Sequence, residues 1–204
     1  MAHGGLAGFG DVEETVATYF GLTAEYASFY GNSTAQLNKN LTFTCPGTGA
    51  QNLISLGMYG KSGGSTAGNS RVAIYLASDR SFIAQGSAEI LVDSTTAAWI
   101  DHTSFTNIGE SPISPQLVGG TNYIICLSRD SNDVKTGYEF GSADDMAAIS
   151  GSDYTGGFPT PIGEGAGSTV KYNIRAGVEA AAGGAASPTS VLGGPLVGPM
   201  GGPI

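Results

Sequence analysis

The residues that could carry out acid–base chemistry are few. The chain has 204 residues and two histidines, of which His3 lies in a glycine-rich N-terminal stretch. Asp101-His102 and the many serines have the residue types of a Ser/His/Asp hydrolase, but such a triad is assembled by the fold and is not readable from composition. We therefore expect His102 at the surface, on the edge of a strand, and we expect the protein not to be an enzyme.

A cation site is suggested by a short acidic stretch. Asp130, Asn132 and Asp133 resemble the start of a calcium-binding EF-hand loop, but Lys135 and Gly141 stand where that loop needs its glycine and glutamate. A solvated loop is therefore favoured, and no cofactor is expected. A structural calcium ion that joins loops is the alternative. The same interpretation applies to three further acidic residues: Asp144, Asp145 and Asp153.

The two cysteines, Cys45 and Cys126, lie far apart in the sequence and have no zinc-binding spacing. Buried thiols are favoured over a disulfide between strands, since unbridged cysteine is among the most buried residue types. The glycine-rich stretch Gly60–Gly68 is not followed by a predicted helix that could lend its N-terminus to a phosphate.

Aromatic residues allow two interpretations. They could form a platform on which sugars stack, or they could fill the core of a β-sandwich, where rings bury the largest area. The core is favoured for this set: Tyr59, Tyr75, Trp99, Tyr123, Tyr138 and Tyr154.

Charge excludes some partners. The net charge is −9 and the isoelectric point is near 4.4. Nucleic acids and anionic membrane surfaces attract basic proteins, so neither is an expected partner. We find no stretch of 18 uninterrupted apolar residues and no secretory signal pattern, so we expect synthesis in a cytoplasm.

Alternating apolar residues predict strands. The central stretch, Arg71–Asp79, alternates with a period of two, and Thr121–Leu127 is apolar enough to be buried on both faces. The clearest alternation lies within Val170–Val178, where apolar residues at every second position alternate with Lys171, Asn173 and Arg175. About eight such runs predict an all-β protein, an antiparallel two-sheet sandwich of jelly-roll or Greek-key type.

Other segments are assigned by composition. Asp11 and Glu14 have the spacing of a capping box, so a short helix or an irregular lead-in is slightly favoured over a strand through Thr15–Phe20. Gly60–Ser70 and Asp144–Gly157 are expected to be loops, because small and polar residues dominate both.

These patterns divide the chain into three parts. Residues 1–40 are an N-terminal arm and lead-in, 41–179 the β-sandwich, and 180–204 a C-terminal arm rich in Gly, Ala and Pro. An arm of this composition has no core of its own and can lie extended across a partner. Its apolar residues are the predicted partner-binding residues: Val191, Leu192, Leu196, Val197, Met200 and Ile204.

Several stretches together resemble a β-sandwich domain of viral surface proteins and bacterial adhesins, which is similar to carbohydrate-binding modules. The stretches are SLGMYGKSG (Ser55–Gly63), RVAIYLASDRSFIAQGSAEI (Arg71–Ile90), Trp99, LVGGTNYIICL (Leu117–Leu127), YTGGFPTPIG (Tyr154–Gly163) and VKYNIRAGVE (Val170–Glu179). The resemblance implies a binding or architectural sandwich and supplies no catalytic residues.

With arms at both ends, the chain looks most like a capsid decoration (cement) protein of a tailed phage. That resemblance implies a virion protein made in the host cytoplasm. Its partners would be the major capsid protein or other virion proteins and further copies of itself. The alternatives are a carbohydrate-binding or adhesin module, with a glycan as ligand, and an extracellular filament subunit.

Overall fold

The fold comes from a computed structural model that describes residues 16–31, 36–64, 67–130, 133–141, 146–149, 157–164 and 166–181. These residues form seventeen strands and no helix. The first nine are β1 (Thr18–Gly21), β2 (Phe29–Tyr30), β3 (Gln36–Thr44), β4 (Ala50–Ser62), β5 (Gly68–Leu76), β6 (Phe82–Gly86), β7 (Ile90–Val92), β8 (Ala98–His102) and β9 (Phe105–Thr106). The others are β10 (Pro112–Ile113), β11 (Gln116–Val118), β12 (Asn122–Arg129), β13 (Val134–Phe140), β14 (Met146–Ile149), β15 (Ala166–Ser168), β16 (Val170–Tyr172) and β17 (Ile174–Ala180).

The strands make two antiparallel sheets that pack together, which confirms the predicted β-sandwich. The first sheet has eight strands in the order β1-β17-β4-β13-β16, with β8 and β11 added to β4 and β2 to β13. The second sheet has nine, in the order β10-β9-β6-β5-β12-β3-β14-β15, with β7 added to β5. The stretch singled out as central in the sequence is β5, which lies in the interior of the second sheet.

The main core lies between the sheets because each sheet turns one apolar face inward. The alternation after Val170 places Tyr172, Ile174 and Ala176 in this core, and β4 contributes Leu56 and Met58 from the centre of the same sheet. From the second sheet come Val72, Ile74, Ile125 and Leu127, all fully buried.

A second apolar cluster lies on the outer face of the second sheet. Tyr75 of β5 and Cys126 of β12 are buried there beneath residues 157–164, which we call the strap. The strap contributes Phe158 and Ile162, and its Pro159 carbonyl accepts a hydrogen bond from the Tyr75 hydroxyl at 2.9 Å. β5 and β12 are therefore buried on both faces, as predicted for Thr121–Leu127.

The two cysteines are buried thiols, as the sequence favoured. Cys45 belongs to the core between the sheets, whereas Cys126 belongs to the cluster under the strap. The second sheet thus lies between them, which is why they do not form the alternative disulfide.

Several local predictions were wrong. Where a helix was slightly favoured, residues 18–21 form β1, because pairing with β17 satisfies their backbone groups. The expected loop Gly60–Ser70 is mostly strand, since β4 runs to Ser62 and β5 begins at Gly68. The expected loop Asp144–Gly157 contains β14, which pairs with β3 and β15.

Strands β1, β2 and the first half of β3 come from residues 1–40 and are hydrogen-bonded into the two sheets.

Candidate functional site

The outer face of the first sheet carries a continuous series of large side chains. They come from four strands whose outward positions lie next to each other: β1, β17, β4 and β8, with β2 at the far side. We call this series the aromatic row, and it consists of Tyr19, Phe29, Tyr59, Lys61, Trp99 and Arg175.

The rings of the row contact one another in sequence. Tyr59 of β4 lies opposite Trp99 of β8, and their ring centroids are 5.6 Å apart. Phe29 lies on the other side of Tyr59 at 6.0 Å, and the ammonium of Lys61 lies 4.5 Å from the Phe29 centroid. Tilted ring pairs at such distances attract each other, so the rings hold fixed positions.

Arg175 joins the other end of the row. Its guanidinium lies between two rings, 3.9 Å from the Trp99 centroid and 4.1 Å from that of Tyr19. It also donates hydrogen bonds to both carboxylate oxygens of Asp101, at 2.7 and 3.3 Å. A guanidinium held by two rings and a carboxylate has little freedom left, so this end of the row is rigid as well.

Glycines in the strands make room for these flat-lying side chains. A Cβ on Gly177 would lie 2.9 Å from the Tyr19 ring, and a Cβ on Gly57 would collide with the Asp101 carboxylate. Glycine inside a strand often marks such a close approach. Part of the high glycine content of this chain is therefore explained by the shape of one sheet face.

The same face concentrates positive charge. Half of the eight Lys and Arg residues occupy outward positions of the first sheet: Lys61, Lys135, Lys171 and Arg175. Asp101, Glu139 and Glu179 are also outward, so four positive and three negative side chains nearly balance on this face while the whole chain carries −9. Another acidic protein is therefore repelled less by this face than by the rest of the surface.

His102 is buried, so its prediction as a surface histidine was wrong. Its side chain points between the sheets and fills the space left by Gly86, where a Cβ would overlap the imidazole. Burial lowers its pKa to about 4, with the charge of Arg71 acting in the same direction and that of Asp101 against it. At neutral pH, His102 is an uncharged packing residue.

The predicted calcium-loop residues serve as loop contacts where they are described. The Asp130 carboxylate accepts a hydrogen bond from the Asn69 amide at 2.8 Å, and the Asp133 carbonyl accepts one from the Gly63 amide at 2.6 Å. No cluster of three His, Cys, Asp or Glu residues suited to a metal ion occurs in the described part of the chain. Four of the predicted residues lie outside it: Asn132, Asp144, Asp145 and Asp153.

Gly60–Gly64 has the G-x-S-x-G spacing of a nucleophile elbow, with Ser62 at its centre. Ser62 is buried at the end of β4, and the chain continues into β5 instead of a helix. The strand-turn-helix context that such an elbow requires is therefore not formed.

The predicted aromatic residues divide between the core and the outer face. Tyr75 and Tyr123 are buried, as expected for core residues, and Tyr138 packs against the core from a half-buried position. Tyr59 and Trp99 instead lie half-buried in the aromatic row. Tyr154 and the six apolar residues of the C-terminal arm, Val191, Leu192, Leu196, Val197, Met200 and Ile204, lie outside the described residues.

Tyr19, Phe29, Lys61 and Arg175 were not predicted as site residues. Two sequence signals pointed to this face: the outward alternation of Lys171, Asn173 and Arg175, and the alternative of an aromatic platform that includes Tyr59 and Trp99.

No protein-family model matches the chain, and no curated protein is significantly similar to it in sequence. Within the described residues there is no helix that could span a membrane.

Proposed function

We propose that this protein is a non-catalytic structural subunit of a virus particle, a decoration protein on the outside of the capsid. It is made in the host cytoplasm and binds capsid proteins and copies of itself through the aromatic row and the terminal arms. The observation that supports this function best is the aromatic row itself.

The composition of the row is that of a protein-binding surface. Trp, Tyr and Arg dominate the binding energy of protein interfaces, because they offer a large contact area. In this row the rings and the guanidinium already hold each other in place. Little side-chain entropy is then lost on binding, which favours tight association.

The test is co-sedimentation of the purified chain with shells of the virus that encodes it, after those shells have been stripped of the chain. We expect saturable binding that Trp99→Ala and Tyr59→Ala each weaken at least about tenfold, as for interface hot spots. Leu91→Ala, at a position 56% exposed on the second sheet, is the control and should bind like the wild type. Failure of the wild type to bind at any concentration would overturn the proposal.

The C-terminal arm is tested in the same assay. A chain ending at Ala181 keeps all seventeen described strands. If the arm contributes to attachment, this shorter chain should retain its circular dichroism spectrum but bind shells more weakly. Unchanged affinity would show that the arm is not an anchor.

A second candidate function, glycan binding, is favoured by one specific observation. Tyr19 is 42% exposed at the end of the row, next to the Asp101–Arg175 pair. Ligand sites combine aromatic side chains with a few placed polar groups, and a sugar offers an apolar ring face and hydroxyl groups to such a pair. Binding on a glycan array that is lost in Tyr19→Ala would support this function, and an array without any binder would exclude it.

A further inference from the structure

A groove of about 430 Å³ opens at one edge of the first sheet, away from the aromatic row. Its eight lining residues come from β4, from β9 and β10 of the second sheet, and from the turns beside these short strands. The apolar ones include Leu53, Ile54, Phe105 and Ile113, and Thr103 is one of those that carry a hydroxyl group.

The groove follows from how β4 is paired. Along one edge of β4, β11 pairs with residues 50–52 and β8 with residues 56–60, so a gap remains between them. On its other edge the register with β17 shifts at this point, which makes Ile54 an extra, bulged residue. The chain crosses to the second sheet after β8 and returns before β11, and these crossings form the walls.

The chemistry of the groove suits aliphatic side chains on an extended backbone. Leu53, Ile54, Phe105 and Ile113 supply apolar surface, whereas hydroxyl groups stand at the exposed rim. None of the eight lining residues is charged. A segment with paired aliphatic residues among Gly, Pro and Ser has matching chemistry, because its side chains bury apolar area while its backbone meets the hydroxyls.

We propose that this groove receives an apolar pair of the C-terminal arm, Val191-Leu192 or Leu196-Val197, from a neighbouring copy of the chain. The inference rests on the proposed function in one respect, the role of the arm in binding neighbours.

The neighbouring copy is indicated by where the described chain ends. β17 runs antiparallel to β4, and the Ala181 amide donates to the Ala50 carbonyl at the very start of β4. β17 therefore ends pointing away from Ile54, which lies about 13 Å back along β4. β17 also lies along the edge of β4 opposite the groove. Residues 182–204 can extend up to about 75 Å, enough to reach a second subunit.

The experiment uses two full-length variants with complementary defects. Thr103→Arg places a charge in the groove at an exposed rim position. Leu192→Asp with Leu196→Asp makes the arm polar. We expect the wild type to self-associate in analytical ultracentrifugation and each variant alone to associate at least about tenfold more weakly.

Mixing the two variants shows whether the arm that enters a groove comes from a neighbouring copy. The arm of Thr103→Arg is intact and can enter the intact groove of the variant with Leu192→Asp and Leu196→Asp, so the mixture should form one-to-one dimers. Leu91→Arg is the charge control and should associate like the wild type. Dimers in the mixture support the proposal. A monomeric wild type, or variants that associate like the wild type, would overturn it, and so would a mixture that stays monomeric.

These results are separable from those of the shell-binding assay. Loss of self-association with unchanged shell binding would remove the arm–groove contact alone. Self-association without shell binding would keep the contact and remove the proposed function.

Discussion

The outer faces of the two sheets carry similar residues but meet solvent differently. On the second sheet, the strap buries Tyr75, and Ile162 fills the space beside it. On the first sheet, Tyr59 and Trp99 lie half-buried against each other, and Tyr59 is also close to Gly137 of β13. The second sheet therefore uses its outer aromatic residues for stability, whereas the first sheet leaves its rings partly accessible to solvent.

Each face also has an arginine–carboxylate pair, and the two pairs differ in the same way. Arg71 bonds both oxygens of Glu110 and the Gly86 carbonyl, and this contact lowers the pKa of Glu110. Arg175 bonds Asp101 but lies between two rings. The Arg71–Glu110 pair joins elements of the second sheet, whereas the Arg175–Asp101 pair holds side chains of the aromatic row in place.

The largest loss of stability is expected for a substitution on the outer face of the second sheet. Tyr75→Ala should lower the free energy of unfolding by about 3–5 kcal/mol, because it empties a fully buried site. Tyr59→Ala should cost about 1–2 kcal/mol, since its ring is half-buried. Urea denaturation measures both. Equal losses would contradict the assignment of stability to one face and accessibility to the other.

Between pH 7 and pH 4, acid should destabilise the protein through His102, which lies between the two sheets. The pKa of His102 is lowered from its ordinary value near 6.5 to about 4. The unfolded chain therefore takes up the proton first, so stability is full above pH 6.5 and falls as the pH drops towards 4. The loss should reach about 3 kcal/mol. Urea titrations from pH 7 to 4 measure it, and His102→Gln should lose less stability over this range. An equal loss in that variant would place the acid sensitivity elsewhere.

Exchanging arginine for lysine tests the two ion pairs. Arg175→Lys should cost about 1–2 kcal/mol, because lysine cannot keep both the stacking and the paired hydrogen bonds. Since Trp99 is the only tryptophan, its fluorescence should change as well. Arg71→Lys is the matched control: it should destabilise the protein without altering the fluorescence. A change of fluorescence in both variants would argue against a local role of Arg175.

The smallest effect is expected at the end of the row. Tyr19→Ala removes one ring contact of Arg175 and should cost about 0.5–1 kcal/mol. Leu91→Ala should change stability by no more than about 0.5 kcal/mol. A loss of several kcal/mol at Tyr19 would mean that the first face also supports the fold.

The fold class was predictable because alternation is a local signal. Val170–Val178 shows which side chains point inward without any knowledge of neighbouring strands, and the apolar run at Thr121–Leu127 shows burial on both faces. Short strands such as β1 and β14 were missed because their pairing partners, β17 and β3, are distant in sequence.

The aromatic row could be predicted only in part, for the same reason. Trp99 and Tyr59 attracted attention as aromatic residues, but their contact depends on the register of β8 against β4. His102 was misplaced because nothing in its local sequence reveals that Gly86 of another strand leaves space for an imidazole. Sites assembled across strands depend on register, and register is a property of the whole sheet.

Strand β4 has a consequence for how the protein is made. Its edges are completed by β8, β11, β13 and β17, which follow it over the next hundred or so residues, up to Ala180. During synthesis, the backbone groups of β4 therefore remain unpaired until nearly all of the sandwich has been translated. Chains that depend on such distant pairings fold slowly and are prone to aggregate while incomplete, so a pause in translation before β17 should lower the yield of native protein.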